Sequence, residues 1–211
     1  MASFSSLWQS LIDALIPPRK TERVVRGATA KTLAARRRPF HRDDIEALFS
    51  YEDSLVQAII WELKYYDSSV SAHLLAGALA EELPHITHEA LTDTPLLIPI
   101  PLHEKRQRAR GYNQVARVTE LVAKKLQEVE HVGGVLVRII DTPRQTALSR
   151  AKRLSNVKKA FEVQNKEKVS GRVCILVDDV ITTGSTLREA GRVLKKAGAS
   201  RVILLALAHA G

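Results

Sequence analysis

The sequence predicts an α/β protein in which a mostly parallel sheet is covered by helices on both faces. Three observations point there: strands and helices alternate from Leu48 onward, the strand segments are nearly continuous apolar runs, and the segments between them carry apolar residues at helical spacing. Strands buried on both faces lose the polar alternation of a half-exposed sheet, and strands that alternate with helices are joined by crossovers.

Each element follows in order. Leu55, Ala58, Ile59 and Leu63 mark one helix, and Val70, Leu74, Leu75, Ala78 and Leu79 a second. PLLIPIP (95–101) is a buried strand with its prolines at ends or turns. Val115, Val118, Leu121, Val122 and Leu126 give the next helix, VLVRII (135–140) a strand and VCILV (173–177) another. A helix over 186–196 and the strand VILLAL (202–207) close the chain. Leu187, Ala190, Val193, Leu194 and Ala197 form the buried stripe of that helix, Thr186 and Glu189 fit a capping box, and Gly198 ends it.

Residues 1–42 read differently from 43–211, which form the main domain. Trp8, Leu11, Ile12, Leu15 and Ile16 suit a short amphipathic helix, whereas 19–42 carry nine cations against the single acid Glu22 and read as a basic arm or linker. With 211 residues, the chain fits one α/β domain plus this extension. Its formal charge of +9 favours anionic partners without choosing among nucleic acid, acidic lipid and a phosphorylated small molecule. The single cysteine, Cys174, lies in an apolar run, so a disulfide framework or a cysteine-rich zinc site within one chain is excluded. No secretory signal is legible, and no run approaches the roughly 18 apolar residues of a membrane span, so the expected location is cytoplasmic.

The chemistry concentrates in VCILVDDVITTGSTLREAGRVLKKAG (173–198). Ligands of open α/β sheets collect at the carboxyl ends of strands, and Asp178 and Asp179 are expected at such an end. Thr182, Thr183, Gly184, Ser185 and Thr186 follow with hydroxyls, small side chains and a glycine that lets main-chain N–H groups turn inward, a phosphate cradle at a helix start. Acids beside an anion site fit a sugar phosphate: the carboxylates accept hydrogen bonds from vicinal hydroxyls while the turn holds the 5′-phosphate. Ordinary capping of a tight turn explains any one of these residues but not the whole string.

Two basic segments accompany it. LHEKRQRARGYNQ (102–114) places Lys105, Arg106, Arg108 and Arg110 after a buried strand, where they are candidates for binding a pyrophosphate leaving group; a solvated charged face is the plainer alternative. The link 141–161 carries six cations and no acid between Arg144 and Lys159, and reads equally as a mobile lid or as a basic surface helix.

VCILVDDVITTGST resembles, along its full length, the 5-phosphoribosyl-1-pyrophosphate (PRPP) motif of type I phosphoribosyltransferases. The resemblance implies that fold, with Asp178 and Asp179 on the ribose hydroxyls and Thr182 through Thr186 around the 5′-phosphate. With FSYEDSLVQAIIWELKYYDS, LIPIPLHEKRQRARGYNQ and TPRQTALSRAKRLSNVKKAF, the chain from about Phe49 onward is similar to the ComF family of competence-associated phosphoribosyltransferase-like proteins. In that comparison Lys64 and Tyr65 belong to an L-K-Y segment. Arg110, Gly111, Asn113 and Gln114 belong to an R-G-F/Y-N-Q signature, and Gln145, Leu148, Arg150, Arg153 and Asn156 fall in the lid. Family members commonly carry an N-terminal zinc ribbon after P-P-R-C; here LIPPRK has Lys20 in place of the first cysteine, so 1–42 reads as a degenerate remnant.

The function implied is transfer of phosphoribosyl from PRPP, with Mg²⁺ held mainly through the ligand's own oxygens, to an acceptor that the sequence does not identify. No catalytic side chain is assigned, because positioning and electrostatics suffice. The alternative is a non-catalytic PRPP- or nucleotide-binding protein, or one associated with single-stranded DNA or a competence-machinery partner. Phe40, Tyr51, Trp61, Tyr65, Tyr66 and Tyr112 are the few aromatics available to stack bases, and most read as packing.

Overall fold

The computed structural model describes residues 19–86, 94–141 and 159–211. The expected N-terminal helix and the lid residues Gln145, Arg150, Arg153 and Asn156 lie outside these. The described elements are α1 (Lys20–Arg26), α2 (Ala30–Ala34), β1 (Arg37–Arg42), β2 (Ile45–Ser50), α3 (Ser54–Tyr66), α4 (Ser69–Ile86), β3 (Leu96–Pro99), α5 (Glu104–Arg110), α6 (Gln114–Lys125), β4 (Glu130–His131), β5 (Leu136–Arg138), β6 (Phe161–Val163), β7 (Val173–Ile181), α7 (Ser185–Lys196) and β8 (Arg201–His209).

Six strands form the central sheet in the order β1-β2-β8-β7-β3-β4. Every neighbouring pair is parallel except β1 with β2. Alternation along each strand divides the core between the faces. Ile175, Val177, Leu205 and Leu207 pack with α3, α4 and α6; Cys174, Leu176, Leu204 and Ala206 pack with Leu187, Ala190 and Leu194 of α7. The helices therefore cover both faces, as the apolar strands require. Burial pushes the Cys174 thiol up to about 11, which keeps it a neutral packing group.

The segment from 135 to 140 departs from expectation. Only Leu136–Arg138 is strand, and it pairs antiparallel with β6 in a separate two-stranded sheet. Ile139 and Ile140 are exposed. The apolar run is real, but its burial comes from β6 and the α7 side of the core rather than from sheet neighbours.

Residues 19–42 hold two helices and a strand rather than an irregular arm. Each helix buries one apolar side chain, Val25 in α1 and Leu33 in α2, too few for a readable period. β1 is an edge strand with exposed basic residues, and one-sided pairing needs no apolar run. Polar contacts fasten the segment. Arg37 donates to Glu82 Oε2 at 2.8 Å, to Glu81 Oε2 at 2.9 Å and to the Ala78 carbonyl at 2.9 Å on α4. Arg19 Nη2 donates to Glu62 Oε2 at 2.8 Å, and Thr21 Oγ1 donates to Glu62 Oε1 at 2.5 Å. Glu62 is only 1% exposed. Burial raises its carboxyl pKa, and the bonds from Arg19 and Thr21 more than offset this, leaving it below the usual range.

Removing Arg19 leaves a buried acceptor half-satisfied. Arg19→Ala should lower unfolding free energy by about 1–3 kcal/mol in a denaturant titration, whereas Arg23→Ala, at an exposed site on the same helix, should stay within about 0.5 kcal/mol of wild type.

Candidate functional site

The chain turns outward in both directions from the centre of the sheet: β3 leads through α6 to β4, and β7 leads through α7 to β8, with the two helices on opposite faces. Segments leaving β3 and β7 therefore diverge, and a crevice opens beyond their carboxyl ends. A cavity of about 830 Å³ lies there, lined by Ile100, Pro101 and Leu102 after β3 and by every residue from Asp178 to Thr186.

β7 continues past both acids to Ile181, pairing Asp178 with Ala206 and Val180 with Ala208 of β8. The carboxylates thus stand inside the strand, which runs on past the end expected at Val177, and the backbone alternation sends them to opposite faces. On the α3/α6 face, Asp179, 8% exposed, accepts from Gln114 Nε2 at 2.7 Å and faces Lys64 Nζ at 3.4 Å, both through Oδ2. Gln114 in turn accepts from Arg110. On the other face, Asp178 feels the charge of Arg138 from β5. Burial, then the neighbouring Asp179 charge, pushes the Asp178 carboxyl up to about 7; the Asp179 N–H, Lys64 and Arg138 oppose that rise without cancelling it.

The R-G-Y-N-Q stretch assembles one wall residue by residue. Gly111, at φ +84°, ends α5 in a left-handed turn. Tyr112 Oη accepts from the Asp67 N–H at 2.9 Å and donates to the Leu63 carbonyl at 3.0 Å, which fixes the end of α3 beside Lys64 and Tyr65. Asn113 donates to the Ile100 carbonyl at 2.9 Å and accepts from the Val115 and Ala116 N–H groups, joining the end of β3 to the start of α6.

The segment expected as a basic loop contains α5, and helical spacing sorts its cations. Arg106 and Arg110, four residues apart, share the face that lines the cavity. Lys105 and Arg108 are not in that lining: both are exposed, and Arg108 pairs with Glu104 on the outer face. The four-cation expectation is thereby reduced to two. Arg138 joins them in the lining. Its only sequence signal is a cation inside the apolar run VLVRII. Burial and the nearby Arg106 lower its pKa, so both act against adding cations there without an anion.

Thr182, Thr183, Gly184, Ser185 and Thr186 all line the cavity. Gly184, the N-cap residue of α7, brings no side chain to cap it, and Thr183 Oγ1 accepts the Ser185 N–H only at 3.4 Å. The expected Thr186–Glu189 box does not form, because Glu189 accepts instead from the Lys159 N–H at 2.7 Å and from Arg192. The uncapped end presents main-chain donors and the positive end of a helix dipole to the cavity. Gly184 is required twice over: its φ is +73°, and a Cβ would lie 2.1 Å from Ile45 Cδ1. Arg188 braces the turn from behind, donating to the Thr183 carbonyl at 2.8 Å, to Asp44 at 3.0 Å and to Asp43 at 2.8 Å. The β1–β2 hairpin tip therefore supports this loop, a role the sequence did not signal.

As the described residues contain no cluster of three or more carboxylate, histidine or cysteine ligands, a metal cage built from them alone is not present. Two aspartates lining the cavity fit a hard cation that also takes ligand oxygens and water. No described helix is long and apolar enough to cross a membrane.

Residues 114–211 match the phosphoribosyl transferase domain family. The chain is 33% identical over 157 residues to competence protein F of Haemophilus influenzae, covering 74% of this chain and 67% of that protein. It is 32% identical over 148 residues to DNA utilization protein YhgH of Escherichia coli O157:H7, covering 68% of this chain and 63% of that protein. Among solved structures, the allosteric regulatory enzyme of purine biosynthesis superposes with a TM-score of 0.43 at 18% identity, over 70% of this chain and 30% of that one.

Because Asp178 has a raised carboxyl pKa, its neutral form favours the fold. That contribution is complete below the ordinary value of 3.8 and is lost as pH rises through about 7. Asp178→Asn keeps the shape without the charge. Its melting temperature should match wild type near pH 3, rise above it progressively toward pH 7, and hold that margin at pH 8, as read by thermal unfolding across the series.

Proposed function

The chain belongs to the ComF family of competence-associated phosphoribosyltransferase-like proteins, and on that premise we propose that its cavity binds PRPP with Mg²⁺ and transfers the phosphoribosyl group to an acceptor. The observation that carries this reading is the pair Asp178 and Asp179 on the cavity floor beside the uncapped N-terminus of α7. Carboxylates suit a vicinal diol, the turn 182–186 suits the 5′-phosphate, and Arg106, Arg110 and Arg138 suit the pyrophosphate.

In the reaction, the bond from the anomeric carbon to the pyrophosphate oxygen breaks with its electron pair on oxygen. The acceptor's lone pair forms the new bond to that carbon, and the acceptor's proton passes to solvent. The developing sugar cation resembles that of glycoside cleavage. Asp178 and Asp179 would orient the ribose, while Arg106, Arg110 and Arg138 would stabilise charge on the departing pyrophosphate. Mg²⁺, when bound, would neutralise pyrophosphate charge through ligand oxygens and water. Lys64 and Gln114 hold Asp179 in place, so they serve as positioning residues. The names of the relatives extend the proposal to a role in competence and DNA utilization.

Calorimetry with PRPP and Mg²⁺ tests the site. Binding should be lost in the Asp178→Asn/Asp179→Asn double variant, and wild-type affinity in that variant would refute the ribose assignment. Arg106→Ala should weaken PRPP by about tenfold or more, the value of a charge-assisted bond, and Arg108→Ala by less than about twofold. Pyrophosphate release across a panel of bases and amines distinguishes turnover from binding alone.

A further inference from the structure

The turn 182–186 contains a choice that its own residues do not make. Gly184 has no Cβ, so the peptide between Thr183 and Gly184 meets little steric resistance to flipping, and its two orientations send the N–H to opposite sides of the turn. In the structure the Thr183 carbonyl accepts from Arg188 Nη1 at 2.8 Å. Thr183 and Gly184 line the cavity and Arg188 does not, so this carbonyl is drawn away from the cavity. The peptide is trans, which sets its N–H antiparallel to its C=O, and the Gly184 N–H is thereby aimed at the cavity side. Among the described residues no group accepts that N–H.

Arg188 is itself held from outside. Its Nε donates to Asp44 Oδ1 at 3.0 Å and its Nη2 to Asp43 Oδ2 at 2.8 Å, both at the tip of the β1–β2 hairpin. Both carboxylates are exposed, and exposed pairs of this kind add little stability. What they supply is direction: with Nε and Nη2 engaged, the planar fork leaves Nη1 a fixed aim at the Thr183 carbonyl. The base of the fork is equally fixed, because the Arg188 N–H bonds the Gly184 carbonyl at 3.0 Å in the first turn of α7.

We propose that Arg188 is a positioning residue for phosphate recognition, locking the Thr183–Gly184 peptide so that the Gly184 N–H serves as a donor to a phosphate monoester, with the hairpin tip holding the lock. This rests on the reading of the cavity as a PRPP site. A cation bonded to the carbonyl also polarises the peptide and strengthens its N–H as a donor. The lock concerns the 5′-phosphate alone, since the pyrophosphate is assigned to Arg106, Arg110 and Arg138 on other elements.

The chain has a single Thr-Gly step, Thr183–Gly184. Protein carrying carbonyl-¹³C threonine and ¹⁵N glycine therefore gives one carbonyl-coupled amide signal, that of Gly184. The full chain is titrated with PRPP and Mg²⁺, with ribose 5-phosphate, and with pyrophosphate and Mg²⁺, and each is followed by calorimetry. In wild type the Gly184 proton should move downfield with PRPP and with ribose 5-phosphate. Arg188→Met keeps the aliphatic stem; it should weaken PRPP and ribose 5-phosphate by about tenfold, the value of one hydrogen bond to a charged group, change pyrophosphate by less than about twofold, and lose the downfield shift at saturation. Arg188→Lys keeps a donor for the carbonyl and should stay within about threefold of wild type with the shift retained. A merely loosened fold would weaken all three ligands together. The lock is refuted, and the PRPP site stands, if PRPP binds wild type without moving the Gly184 signal, or if Arg188→Met keeps wild-type affinity, keeps the shift, or loses pyrophosphate equally. Should Arg188→Met not fold, Asp43→Asn/Asp44→Asn carries the test, with the same selective loss expected at about threefold and unchanged affinity overturning the proposal. If PRPP gives no heat with wild type, the parent reading fails and takes this one with it.

Discussion

Two adjacent carboxylates on a central strand set the terms for the rest of this molecule. Asp178, half-buried, and Asp179, buried, stand near the carboxyl end of the central strand β7, and their mutual repulsion adds to the cost of burial. Strand alternation turns them to opposite faces, so their partners differ, although the Lys64 charge acts on both. Asp179 takes Gln114 from α6 and Lys64 from α3, while Asp178 has Arg138 nearby and remains easy to protonate. Elements packed through the apolar core, α3, α6 and β5, thus also bring Lys64, Gln114 and Arg138 to the acids.

The turn 182–186 depends on a second constraint of the same kind. Gly184 can curl only because nothing projects from it, and the space a side chain would occupy is filled by Ile45 of β2. Arg188 reaches across the same junction to Asp43, Asp44 and the Thr183 carbonyl. Residues at the beginning of the main domain thereby fix a loop about 140 positions further along the chain. The N-terminal segment is tied in likewise, through Arg19 to Glu62 and Arg37 to α4, so its basic composition reflects anchoring as well as exposed charge.

Much of the core fold was legible because burial on both faces leaves a local trace. VCILV and VILLAL read as strands, and the stripe of Leu187, Ala190 and Leu194 read as a helix face that does pack on the sheet. The elements that escaped notice are those whose stability is not local. β1 needs only an edge to pair with, α1 and α2 each bury a single side chain, and 135–140 reads as a strand of the main sheet although only 136–138 is strand and its partner is β6. Within the site, Asp178, Asp179 and the turn 182–186 could be named from one contiguous string. Lys105 and Arg108 could not be separated from Arg106 and Arg110 until α5 supplied a helical period, and Arg138 showed no more than a charge in an apolar run.

The amino-acid sequence by itself determined the alternating α/β order, the apolar strand that carries two adjacent acids, and the hydroxyl-rich turn before a helix, because these are properties of neighbours along the chain. Tertiary structure decided which cations face the acids, which end of α7 stays uncapped, and that the hairpin tip and the end of α3 meet the cavity. Those outcomes depend on through-space contacts between segments tens of residues apart, and electrostatic compensation of a buried charge is specified by distance in space, which no spacing in the sequence encodes.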